Sequence, residues 1–518
     1  MSEEKLSVKI VRNTIYNIIG NFWTILVSIF LIPYIISHIG IERFGIWSLI
    51  TVITGYLGLL DIGISRSFVK YIAEFYTIRD YKKINDIIST GFVFFLIFGI
   101  LIVLAACFSV NSLIRFFNIP DKLYFETKFV FLLGVIIFAI NNIVNIFSAI
   151  QVGLQRMDIS NKINILLSLP LISGTVFFLE KGYGLTGLVI NQSIILIITT
   201  FTNIIIAYKI FPYLQIKISY FNTRTFKQMF NFGIKVQITR LESIFLFETD
   251  KLLISHFLNV GLVSLYTIGA SVVNKMRSIP IMLCSAVLPA ASEISALQDK
   301  KALQELYLRG TKYVSVVGIP LLVFIFITAP LVILVWIGEI YTESVQVIRI
   351  LAPSYLINIL TGVSSAMIVG MGKPEVLMKS SIAQFILNLV LSVILVIKIG
   401  FVGVVIATLI SFSTISLWFM TMFHKEIQMP ILSFVKNILT IPGMAAFISG
   451  IILYLLNIHI YRIFLPSNRI TGFYILGIDT ILFFVLYGYI ILKYKVLDKD
   501  DLQIAKNIFT KLGGIADV

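Results

Sequence analysis

Apolar runs long enough to cross a bilayer recur from one end of this 518-residue chain to the other. A helix rises about 1.5 Å per residue, so about 20 apolar residues cover a hydrocarbon core about 30 Å thick. Fourteen such runs are read, roughly at 15–37, 44–65, 87–113, 129–152, 163–179, 185–207, 234–258, 262–290, 313–337, 345–369, 376–397, 401–423, 434–457 and 473–492. The chain is 58% hydrophobic and 13% charged; a soluble domain averages about 45–50% and about 25%. The expectation is an all-α integral membrane protein of about 14 transmembrane helices.

Charge then sets the orientation. The excess of Lys and Arg gives a formal net charge of +15. Twenty-seven of the 41 cations fall in every second connection and eight in the others. By the positive-inside rule both termini lie in the cytoplasm of a multi-pass protein of the inner (cytoplasmic) membrane. The cations form no basic domain, so nucleic acid is not an expected partner. The N-terminal stretch MSEEKLSVKIVRN runs straight into the first span with no A-x-A cleavage site, which reads as a retained helix. Cys107 and Cys284 both lie inside apolar runs, and no CxxC or Cys/His cluster occurs. Neither a metal site nor a disulfide framework is expected. The connections are too short for a nucleotide-binding domain or a large outer catalytic loop, and no GxxxxGK[ST] occurs. No cofactor and no enzymatic activity are expected.

The second half echoes the first. ISH at 36–38 returns at 254–256, and AEFYTIRDYKK at 73–83 returns as SEISALQDKKA at 292–302. VGLQRMDISNK at 152–162 returns as VGMGKPEVLMK at 369–379, and GLTG at 184–187 as GFVG at 400–403. Each repeat holds six spans, an even number, so both copies enter from the same side: a parallel repeat, an architecture that transporters use. The expected layout is a cytoplasmic N-terminus (1–14), an N-terminal six-helix lobe (15–218) and an interfacial linker helix (219–233). A C-terminal six-helix lobe (234–425), two additional transmembrane helices (426–492) and a cytoplasmic tail (493–518) follow.

The stretch GIERFGIWSLITVITGYLGLLDIGISRSFVKYIAE resembles the start of Wzx-type polysaccharide flippases, with a G-x-x-x-[FY]-G motif, an L-D-[LI]-G-[LI] run and a basic inner loop. TDKLLISHFLNVGLVSLYTIGASVV resembles their seventh-to-eighth span junction. The family belongs to the multidrug/oligosaccharidyl-lipid/polysaccharide exporter superfamily. The resemblance implies a V-shaped, alternating-access carrier. It also implies, as cargo, an undecaprenyl-pyrophosphate-linked oligosaccharide moved to the outer leaflet, with the lipid bilayer and other glycan-assembly membrane proteins as partners. The alternatives are a drug/cation antiporter of the same superfamily and a membrane glycan polymerase or ligase; a cationic drug would favour an acidic cavity, and an enzyme would want an outer loop.

The candidate site follows from misplaced charge. A Lys or Arg at mid-membrane costs about 2.5–3.5 kcal/mol, yet span 8 carries Lys275 and Arg277. Both are expected about 8–10 Å above the inner surface. Counted the other way along span 7, Arg240 and Glu242 lie at about 9 and 12 Å, in the same layer. Arg240, Lys275 and Arg277 are therefore candidates to bind a pyrophosphate of about two negative charges, Arg by its bidentate fork. Lys275 and Arg277 are two apart and point to nearly opposite sides, so one could instead pair with Glu242. Arg66 and Lys70, four apart at the inner end of span 2 near Asp61, are either positive-inside anchors or an electrostatic mouth for the anion. Glu248 and Asp250, with Lys251, sit in the outer half of span 7 and either pair internally or carry a coupling ion. His38 and His256 are read as interfacial repeat mates.

Overall fold

The computed structural model describes residues 3–61, 63–463, 468–497 and 501, with side chains at all of these except 3–19, 21–22, 235–236, 238–246, 433, 437 and 459–463. Most of the expected tail, 493–518, and the side chains of the expected N-terminal segment lie outside the described residues. The chain forms two compact units, residues 1–267 and 268–518. Regular structure among the described residues is helical throughout.

The first unit holds α1 (Glu3–Leu57), α2 (Ile64–Thr77), α3 (Tyr81–Phe116), α4 (Tyr124–Gly153), α5 (Met157–Glu180), α6 (Gly184–Ile210), α7 (Thr223–Phe257) and the start of α8 (Val260–Met282). The second holds the rest of α8, α9 (Val287–Ala296), α10 (Lys300–Ile337), α11 (Thr342–Leu360), α12 (Gly362–Gly370) and α13 (Pro374–Ile399). It ends with α14 (Phe401–Glu426), α15 (Ile431–Phe434), α16 (Thr440–Ile463) and α17 (Arg469–Lys493).

Twelve helical stretches among the described residues are long and apolar enough to span a membrane. Two of the fourteen sequence spans are absent from that set for physical reasons. Spans 15–37 and 44–65 run together as α1, broken at Gly40, whose φ of 78° and ψ of 168° no helix has. Span 234–258 lies in α7, where Lys235, Arg240, Glu242, Glu248, Asp250 and Lys251 dilute the apolar run. The interfacial linker helix expected at 219–233 is, from Thr223 onward, the opening turns of α7.

The second span is followed by a helix rather than a loop. In α2 the buried residues Ile64, Ser67, Phe68, Tyr71, Ile72 and Phe75 fall at three- and four-residue spacing, so one face packs and the other does not. That face joins Ile84, Ile88 and Phe95 of α3 and Ile146 and Ile150 of α4 in one buried cluster. Some helix starts are capped by side chains. Asp80 accepts from Lys83 N–H at 3.1 Å, Asp299 from Ala302 N–H at 3.0 Å, and Asn468 from Thr471 N–H at 2.9 Å.

The sequence repeat is also a backbone repeat. Arg79 and Gln298 are both left-handed, with φ of 58° and 56°, and precede the capping residues Asp80 and Asp299. Arg156 and Lys373 precede α5 and α13 with φ of −108° and −116° and ψ of 48° and 49°. Gly153 and Gly370 sit where a Cβ would lie 2.8 Å from Ile72 Cγ2 and 2.7 Å from Leu288 O. Close approach at small residues suits helices in lipid, where van der Waals packing replaces the hydrophobic drive.

Candidate functional site

α8 carries Lys275 and Arg277 past Pro280 into a 3-10 turn at Leu283–Ala286, so the helix changes pitch just beyond the two cations. Residues two apart on a helix differ by about 200° around its axis, and the two side chains diverge accordingly. The Lys275 ammonium lies 5.4 Å from the centre of the Trp336 indole of α10. The Arg277 guanidinium lies 5.4 Å from the Tyr355 ring of α11 and donates through Nε to Asn358 Oδ1 at 2.9 Å. Both cations are half-buried. An aromatic face attracts a desolvated cation by about 2 kcal/mol, and the amide oxygen fixes the plane of the fork.

The other candidates lie in the first unit. Arg66 and Lys70 are exposed on α2, and the Lys70 ammonium sits 4.4 Å from both the Tyr71 and the Phe232 ring centres. Asp61 is buried and accepts from Ser65 N–H at 3.1 Å, closing the first turn of α2. On α7, Glu248 pairs with Lys251 at 2.6 Å. Further along, buried Asp250 accepts from the Tyr266 hydroxyl at 2.7 Å, while Tyr56 and Thr249 share a hydrogen bond of 2.7 Å. Arg240 and Glu242 are on α7, but their side chains lie outside the described residues. His38 Nδ1 bonds the Tyr34 carbonyl at 2.8 Å, and its Nε2 is 3.5 Å from Glu180; His256 bonds the Phe116 carbonyl at 2.8 Å and stacks on its ring.

The structure thus gathers Asp61, Arg66 and Lys70 at the start of α2, Glu248 and Asp250 on α7, and Lys275 and Arg277 on α8. Sequence reasoning passes over the partners of Arg277, because Tyr355 and Asn358 are ordinary span residues until α11 is packed against α8. It also passes over Arg349, a further cation inside a span, whose signal is the one that singles out Lys275 and Arg277.

The fold defines the class. The solved lipid II flippase MurJ, in an inward closed conformation, matches with a TM-score of 0.70 at 14% identity, over 94% of this chain and 99% of that one. An inward-facing multidrug resistance MATE-family transporter of the MOP superfamily matches with a TM-score of 0.65 at 17% identity, over 80% and 94%. The chain is a multi-pass membrane protein with the all-helical fold of MOP-superfamily transporters. Residues 39–346 match the family described as polysaccharide biosynthesis protein, and the chain belongs to that family. A Shigella flexneri protein provisionally named an O-antigen transporter is 23% identical over 407 residues, 77% of this chain and 94% of the relative. An uncharacterized membrane protein of Methanocaldococcus jannaschii is 20% identical over 346 residues, 65% of this chain and 68% of the relative.

Proposed function

We propose that the chain flips lipid-linked oligosaccharides across the membrane for cell-surface polysaccharide assembly. The observation that carries this is a glycan-assembly family match over residues 39–346 on a fold that solved transporters use. The similarity to a protein named as an O-antigen transporter supports the same cargo class. In finer detail, the cargo is an undecaprenyl-pyrophosphate-linked repeat unit moved from the inner to the outer leaflet of the cytoplasmic membrane. Arg66 and Lys70 draw the anion in, and Lys275, Arg277 and Arg240 hold it. Asn358 and Tyr355 support that role by orienting the guanidinium of Arg277, which bidentate recognition requires. Asp250 is the first candidate for the coupling ion, with Glu242, Glu248 and Asp61 as its alternatives. Export of cationic drugs would call for acids where α8 presents Lys275 and Arg277.

The test is reconstitution into liposomes with a lipid-linked oligosaccharide whose glycan is read by an added lectin. Protein-dependent appearance of glycan on the far side is the expected outcome; uptake of a cationic dye without glycan movement would replace this reading. The orientation is tested separately. With Cys107 and Cys284 changed to Ser, a cysteine at position 118 should be labelled from outside intact cells and one at position 80 spared. Labelling at 80 would invert the topology.

A further inference from the structure

Lys251, Lys275 and Arg277 each have a partner within the fold. Arg349 is different. It lies on α11 seven residues, about 10 Å, from the helix start at Thr342. It is exposed, and no hydrogen bond or ion pair joins it to any described residue. Charged side chains inside membrane spans almost always face the bundle interior or pair, because an unpaired one is costly in hydrocarbon.

Arg349 also stands in the wall of a cleft of about 590 Å³ lined by α10, α11 and α16, within the usual size of a small-molecule site. Apart from Arg349 its wall is uncharged. Phe326 of α10 and Phe447, Ile451 and Tyr454 of α16 line it and are exposed, so in a membrane the cavity opens to lipid. Its floor is tight: a Cβ on Gly450 would lie 2.8 Å from Ile327 Cδ1. The apolar wall on α16 repeats at three and four residues, one face of a helix.

An apolar cleft open to lipid with a single unmatched cation calls for an amphiphile with one negative charge. We propose that this groove binds one anionic phospholipid of the surrounding bilayer, its phosphodiester on Arg349 and an acyl chain along α10 and α16. A guanidinium forks onto phosphate oxygens, and its long side chain can reach from this depth toward the headgroup level. One cation matches a phosphodiester monoanion; a pyrophosphate of about two charges would leave one unmatched, which argues against the glycan carrier as occupant. The orientation proposed above puts the bound lipid in the outer leaflet. The inference rests on the chain spanning a membrane and not on what it transports, so failure of the glycan assay leaves it intact.

The test is native mass spectrometry of the purified full chain, delipidated and then offered equimolar phosphatidylglycerol, phosphatidylcholine and a polyprenyl phosphate. The wild-type protein should retain one phosphatidylglycerol in preference to the other two. Arg349→Gln, which removes the charge and shortens the side chain by two bonds, should bind it about tenfold more weakly, whereas Arg349→Lys, which keeps both charge and reach, should keep most of the preference. Equal retention of phosphatidylcholine, preferred retention of the polyprenyl phosphate, or no retained lipid by the wild-type protein would each overturn the proposal. So would unchanged retention by Arg349→Gln. The wild-type competition decides even where a variant folds poorly.

Discussion

The hairpin after the second span of each repeat is built twice, at residues 63–84 and again at 282–303. The left-handed turn residue returns, Arg79 as Gln298, and so does the capping carboxylate, Asp80 as Asp299. The orientation signal also returns, Lys82 as Lys301. Most of the charge does not. At the same shift of 219, Arg66 and Lys70 become Ser285 and Pro289, while Lys275 and Arg277 fall on Tyr56 and Gly58. What the scaffold requires is therefore present in both copies. Cations present in one copy only are not scaffold requirements, and the proposed function assigns them to a cargo whose two ends differ, one charged and one apolar.

The sharpest way to break this comparison is to remove a cation that has no repeat mate. Arg277→Ala should lower flipping about ten- to a hundredfold, the range a charge-assisted hydrogen bond supports, with membrane abundance unchanged. Arg277→Lys should recover only part, since a point charge replaces a fork, and Asn358→Leu should resemble it by freeing the guanidinium plane. Normal flipping by Arg277→Ala at normal abundance would remove Arg277 from the binding role. A milder effect is expected at α2. Arg66→Ser with Lys70→Gln, which removes the two cations whose counterparts in the second hairpin, Ser285 and Pro289, are uncharged, should slow flipping severalfold at low salt and less at high salt. Electrostatic attraction of an anion is screened over about 10 Å at 0.1 M ionic strength. A loss that does not depend on salt would mean that the Lys70 stack on Tyr71 and Phe232 is structural.

Much of this fold is legible in the residues alone. The spans follow from hydropathy, and the repeat from four matched segments, at two of which the backbone repeats the turn before the next helix. The amphipathic helix α2 is half legible: Arg66 and Lys70 on one face imply a helix, but its buried face becomes evident only once α3 and α4 supply Ile88 and Ile150 to meet it. The continuity of α7 is hidden because Arg224, Lys227 and Lys235 make the stretch before span 234–258 read as a surface helix, while the backbone stays helical from Thr223 to Phe257. The Arg349 groove is not legible at all. It exists because α16, a helix outside the repeat, packs against α10 at Gly450 and leaves space toward α11. Periodicity within one helix cannot report a space made by three.

Smaller effects test how closely the two hairpins match. At Gly153 an added Cβ meets Cγ2 and Cβ of the fully buried Ile72 at 2.8 and 2.9 Å; at Gly370 it meets the backbone carbonyl of Leu288 at 2.7 Å, which cannot shift without moving α9. Replacing a helical Gly by Ala gains up to about 1 kcal/mol in propensity, and overpacking costs about 1–3 kcal/mol. Both Gly153→Ala and Gly370→Ala should therefore lower Tm, Gly370→Ala by more. The reverse order would mean that the second hairpin is the looser of the two.

The smallest expected effect is at the caps. Asp80→Ala and Asp299→Ala each remove one side-chain acceptor from a helix N-terminus, a loss of about 1 kcal/mol, and equivalent caps should lower Tm about equally in detergent. pH separates the cap from a general loss of charge. The Lys83 backbone N–H holds the Asp80 carboxyl below the usual carboxylate range, outweighing partial desolvation, and the Lys83 and Lys82 charges act in the same direction. A carboxyl depressed in the folded state stabilises it above its unfolded pKa of about 3.9, and that stabilisation is lost as pH falls through the lower folded value. The contribution of Asp80 should thus be constant from pH 8 to about 5 and decline below about 4. Asp80→Asn, a comparable cap without a titrating group, should match the wild-type protein at neutral pH and flatten its decline in acid. An Asp80→Asn variant as damaging at pH 7 as Asp80→Ala would show that the negative charge near Lys82 and Lys83 matters there, and not the hydrogen bond to the helix start.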